Sequence, residues 1–138
     1  MSIIRALQEY LKQFEGMEMM IVSTDGTGSA VPGYAVAPAG NSRTVEDIIG
    51  NRTYINNYIF YAREYVTSEI ERQENYDFLD AFFEWIEDND NNGVYPQITG
   101  YTVENINATN VLLFDVGEDG RGTYQIQIKL TLAKEKGE

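Results

Sequence analysis

The clearest alternation in the chain lies near its end, where Tyr124, Ile126, Ile128, Leu130 and Leu132 alternate with Gln125, Gln127, Lys129 and Thr131. A period of two sends successive side chains to opposite faces of a strand, so this pattern predicts one apolar face and one wet face. The turn-forming run 117–122 precedes it and predicts a hairpin over 111–133, with a further strand over 102–109. The opening residues follow a different rhythm. Ile3, Ile4, Leu7, Tyr10, Leu11 and Phe14 fall on one face at helical spacing, with Ser2 in position to cap the start and Gly16 to end the helix in a left-handed conformation.

Residues 19–23 read as a buried strand, residues 25–33 as a loop of turn formers, and residues 34–37 as a short strand stopped by Pro38 and Gly40. Over 53–65 the chain is rich in Tyr, Ile and Phe. Tyr54, Tyr58, Phe60 and Ala62 share one face, and Ile55, Ile59 and Tyr61 share the other, a pattern expected of a strand packed on both sides. Ser68 and Glu71 have capping-box spacing, and the helix they start gathers Leu79, Phe82, Phe83 and Ile86, flanked by Tyr76, Phe78 and Trp85. Asp77, Asp80, Glu84 and Glu87 take its opposite face, so the aromatic stripe is read as a core surface. No repeat, linker or compositional break divides the chain. The expectation is a single α+β domain over 1–138, with about two helices packed on a mixed or antiparallel sheet.

Composition then narrows the chemistry. Ten basic residues against 22 acidic ones give a formal charge of −12, and such a field repels phosphate backbones. Without Cys or His, the chain has no disulfide, no thiolate nucleophile, no imidazole or thiolate zinc ligand and no Ser-His-Asp site of its own. No apolar run has the length of a membrane span, and charged residues interrupt the first sixteen positions where a signal peptide would need a continuous apolar core.

Asp88-Asn89-Asp90-Asn91-Asn92-Gly93 matches the opening of a calcium-binding loop, making Asp88, Asp90 and Asn92 candidate ligands. Thr99 occupies the twelfth position, where a bidentate acid belongs, and no helix pattern follows Pro96. A solvated helix terminus and turn is therefore the favoured reading of this run. The glycines at 26 and 28 lack the Gly-Lys-Ser/Thr sequel of a phosphate loop and read as a flexible turn. No cofactor is expected.

Four blocks in order, Ile3-Ile4-Arg5-Ala6-Leu7-Gln8-Glu9-Tyr10-Leu11, the tyrosine-rich strand from Thr53, Phe83-Glu84-Trp85-Ile86-Glu87, and Tyr124-Gln125-Ile126-Gln127-Ile128-Lys129-Leu130-Thr131, carry a family resemblance. Together the chain resembles the small minor capsid or tail-terminator proteins of tailed bacteriophages and prophages of Gram-positive bacteria. The blocks are packing elements, so no catalytic or binding residue is carried over with them. The resemblance implies a structural virion protein, present in the host cytoplasm during assembly, that forms a ring, expected to be hexameric. The ring would cap the tail tube and meet the head-completion or connector protein, with DNA only as passing cargo and no membrane partner. Loop residues Asp25, Gly33, Glu118, Asp119 and Arg121 are the candidate contacts with neighbouring subunits, because loops on a rigid sheet commonly carry recognition. Two other readings stay open: a generic protein-binding module using the tyrosines of 54–65, and an enzyme working through carboxylates or a divalent ion.

Overall fold

The computed structural model describes residues 2–17, 21–22, 33–40, 42–117 and 120–134. Helix α1 (Ile3–Leu11) starts where expected, with the Ser2 hydroxyl accepting from the Arg5 amide. It ends earlier than the spacing suggests. Tight turns follow, with Gln13 N donating to Tyr10 O and Phe14 N to Leu11 O, so Phe14 still reaches the core before Gly16 turns the chain at φ 96°.

Strands β1 (Ile21–Val22), β2 (Gly33–Pro38), β3 (Arg43–Glu46), β4 (Arg52–Tyr65), β5 (Tyr101–Val116) and β6 (Arg121–Lys134) form one mixed sheet in the order β1-β2-β4-β6-β5, with β3 beside β4. Only β1 and β2 run parallel among the pairs described. β2 pairs with the second half of β4 and β3 with its first half, so the two are successive pieces of one interrupted strand folded against β4. β3 has no counterpart in the sequence pattern, because all its residues are exposed and no buried face imprints alternation on it. β5 is one strand where two were expected; register shifts near Glu104, at 110–111 and at 114 break the alternation without breaking the pairing. The β5–β6 hairpin forms as expected.

Helix α2 (Glu69–Asn91) opens on a complete capping box between Ser68 and Glu71. Both helices lie on the same face of the sheet. Leu7, Tyr10 and Leu11 of α1 and Leu79, Phe82 and Ile86 of α2 meet Val36, Tyr58, Phe60 and Ala62, together with the apolar row of β6. Phe82 stands at the centre of this core, with ring centroids 4.8 Å from Phe60, 5.2 Å from Phe14 and 6.1 Å from Trp85. The aromatic stripe of α2 is thus core, as its periodicity predicts. The expectation that β4 is packed on both sides is corrected. Tyr58, Phe60 and Ala62 are buried, whereas Ile55, Ile59 and Tyr61 point to the helix-free face and are only half-buried.

Candidate assembly surface

The helix-free face follows directly from register. Ala37, Ile59, Gln127 and Thr109 form one cross-strand row, and Asn57, Lys129 and Asn107 form the next, continued by Ala39, whose amide donates to Asn57 O at 3.0 Å. Apart from the buried Ala37, these residues line a groove of about 500 Å³ on the open side of the sheet. Its lining holds no carboxylate and one cation, Lys129. Lys129 is exposed and makes none of the ion pairs found among the described residues. The acids sit elsewhere: Glu69, Glu74, Asp77, Asp80, Glu84 and Glu87 are exposed on the outer side of α2. A chain of charge −12 therefore presents an acidic helical layer on one side and a nearly uncharged groove on the other.

A second feature lies at the tip of the β3–β4 hairpin. Ile48 is 103% exposed and Ile49 73%, values that leave two large apolar side chains in water. The backbone that carries them is held firmly. Asp47 N donates to Asn51 O at 2.9 Å, and the Asp47 carboxylate accepts from the amides of Ile49 and Asn51 at 3.0 and 2.9 Å and from Asn51 Nδ2 at 3.1 Å. Gly50 closes the turn at φ 87°. An Asx-type turn of this kind fixes the tip by local hydrogen bonds, without burying its side chains. Sequence reading missed the tip because Val45, Ile48 and Ile49 belong to no periodic run; the Asp47–Asn51 pairing around Gly50 was the available signal.

The expected contact residues fare unevenly. Gly33 is corrected: it is buried and paired with Arg63 at the start of β2, so it is a strand residue and not part of an exposed loop. Arg121 opens β6 opposite Tyr65 and is half-buried there. Asp25, Glu118 and Asp119, most of the 25–33 loop and part of the expected 19–23 strand lie outside the described residues. The tyrosines of β4 divide: Tyr58 is buried, Tyr54 packs edge-on against Tyr101, Tyr61 lies on the helix-free face and Tyr65 is exposed. That division weakens the reading of 54–65 as one adhesive surface.

The metal candidates are corrected too. Asp88 and Asp90 lie within α2, where residues two apart point about 200° from each other and cannot converge on one ion, and Asn92 caps the helix end. The Asp90 carboxylate already accepts from Tyr95 Oη at 2.9 Å, Ile106 N at 3.0 Å and Asn105 Nδ2 at 2.9 and 3.0 Å. It ties the end of α2 to β5 beside the register shift at Glu104. No group of three acids able to hold a metal occurs among the described residues.

One other carboxylate is perturbed. Glu64 accepts from the Tyr34 hydroxyl at 2.6 Å; burial raises its pKa, and the Tyr34 hydrogen bond opposes the rise. Tyr34 is itself raised, first by burial and then by its bond to Glu64, so the phenol stays neutral. The pair joins β2 to the end of β4.

No protein-family model matches the chain, and no curated protein matches it significantly. Among the described residues, no helix is long and apolar enough to cross a membrane.

Proposed function

We propose that this protein is a structural subunit of a multi-subunit ring, acting as a tail terminator or head–tail joining component that caps a phage tail tube. The observation that carries this reading is the one-sided sheet with its rigid apolar tip. Both helices cover one face, while the other presents half-buried Ile55, Ile59 and Tyr61, and the β3–β4 hairpin displays Ile48 and Ile49. Two adjacent isoleucines held in water on an ordered turn offer an apolar point that an assembly would bury. The sequence resemblance supplies the kind of assembly. The charge of −12 is compatible with a ring whose lumen DNA crosses without being held.

The proposal assigns the protein no chemical step, and its partners are copies of itself, the tail-tube protein and the head connector. Light scattering over a wide concentration range, with negative-stain imaging alone and with assembled tail tubes, tests it. Rings, or particles seated on tube ends, are the expected result. A protein that stays monomeric throughout and leaves tube ends bare would sink the proposal.

A further inference from the structure

We propose that Asn92 is a site of spontaneous deamidation, driven by the Gly93 amide nitrogen, and that the product loosens the joint between α2 and β5. Asn92 is the only asparagine of the chain that a glycine follows. A glycine has no side chain to shield its nitrogen or to restrict the rotation that carries it onto the preceding residue. The structure puts this pair within reach of solvent. Asn92 is the exposed C-cap of α2, its side-chain amide makes no hydrogen bond among the described residues, and a Cβ on Gly93 would meet nothing within 4 Å.

The step needs only base and water. Base removes the Gly93 amide proton, the nitrogen attacks Cγ of Asn92 to close a five-membered ring, and the bond from Cγ to the side-chain nitrogen breaks, releasing ammonia. Water then opens the succinimide at Cγ, giving aspartate, or at the main-chain carbonyl carbon, giving isoaspartate. One water enters and one ammonia leaves.

The folded cap slows this reaction without preventing it. At ψ 3° for Asn92 the Gly93 nitrogen is turned away from Cγ, and its N–H donates to Asp90 O. At 3.3 Å that bond is long, and it lies in the last turn of a helix, where local opening is easiest. Tyr95 Oη donates to the same Asp90 carbonyl at 3.0 Å and steadies the turn.

Either product leaves a new carboxylate at the end of α2, against the negative pole of the helix, with Asp88 and Asp90 close by and no basic residue in the last turn. Isoaspartate also lengthens the main chain by one methylene, and the segment it lengthens is a junction. Val94 N donates to Asn89 O at 2.8 Å, Val94 O accepts from Tyr10 Oη of α1 at 2.9 Å, and Tyr95 Oη reaches Glu104 O of β5 at 3.1 Å. A longer link misplaces all three. The modified chain thus carries a lasting mark of its age where α1, α2 and β5 are tied together.

The test is to incubate the purified protein at neutral and at mildly alkaline pH and to follow its peptides by mass spectrometry. The peptide holding Asn92 should gain the mass difference between a hydroxyl and an amino group, faster as pH rises, and split into aspartate and isoaspartate forms. Peptides holding Asn51 and Asn75 should stay unchanged. Asn92→Gln should abolish the change, and Tyr95→Phe should speed it several-fold by loosening the turn. The aged protein should unfold at lower urea than the fresh one, and Asn92→Asp, which has the charge without the methylene, should fall between them.

An Asn92 that survives conditions under which a free peptide of the same sequence converts, or that converts no faster than Asn51 and Asn75, overturns the site. Conversion with an unchanged urea midpoint overturns the loosening of the joint. A Tyr95→Phe variant that converts no faster than the parent overturns the role given to the cap.

Discussion

Gly120 sits where three constraints meet. Its φ is +81°, its carbonyl accepts from the Val66 amide at 2.8 Å, and a Cβ there would lie 2.1 Å from Thr67 Cγ2. The glycine lets the β5–β6 turn press against the junction between β4 and α2. Gly120→Ala should therefore cost about 2 to 4 kcal/mol in urea unfolding, from the left-handed backbone plus the overlap. At Asp90 the test separates a latch from a metal ligand. Asp90→Ala should destabilise by about 2 to 3 kcal/mol, by leaving the Ile106 amide and the Asn105 side chain without their acceptor. Asp88→Ala should stay within about 0.5 kcal/mol of the parent, and millimolar calcium should shift the melting temperature of neither. Glu64 gives a pH signature. Because its folded pKa is raised, the folded state holds the proton more tightly than the unfolded chain, and ionised Glu64 lowers stability at neutral pH. That loss disappears as pH falls through the raised pKa. Glu64→Gln should thus be more stable than the parent at pH 7 and should converge with it as the pH drops to 4.5, the ordinary value.

At the scale of elements, legibility followed burial. β6 was readable because its five alternating large apolar residues are 0 or 1% exposed, so the solvent boundary is written into every second position. The start of α2 was readable from a local rule: Ser68 accepts from Glu71 N, and the Glu71 carboxylate accepts from Ser68 N and from the Thr67 hydroxyl. These bonds, led by that from Thr67, lower the Glu71 pKa. Ser68→Ala should cost about 1 kcal/mol, measurable by chemical denaturation at pH 7. β3 was invisible for the opposite reason, since Arg43, Thr44, Val45 and Glu46 bury no face and are placed only by pairing with Thr53, Tyr54 and their neighbours. The two-sided reading of β4 failed because apolar residues on both faces look alike in sequence, whether the second cover is a helix of the same chain or another molecule. The helix-free groove was hidden likewise: Ile59, Gln127 and Asn107 are far apart in sequence and meet only through register.

The whole molecule is a two-layer structure whose helical layer carries a dense band of exposed acids. Acidic residues crowd the solvent side of α2, and the groove between β4, β6 and β5 carries Lys129 alone. In the proposed ring, association of copies would be opposed at long range by their net charge of −12 and favoured at contact by apolar burial. Raising ionic strength from about 0.01 M to about 1 M shortens the screening length from about 30 Å to about 3 Å. Self-association, followed by sedimentation velocity, should therefore strengthen with salt.

The pairing of β4 with β6 has a consequence for how the protein is made. β4 lies next to β6 in space, from Thr53 opposite Ala133 to Tyr65 opposite Arg121, yet all of α2 and β5 separates them along the chain. On the ribosome, β4 emerges long before the strand that pairs with its second edge, whereas β5 is followed at once by β6. Until residues 121–134 are released, the tyrosine-rich strand waits with one open edge, exposed to neighbouring nascent chains. The sheet closes in a late event that joins distant parts of the chain, and non-local pairing of this kind slows folding.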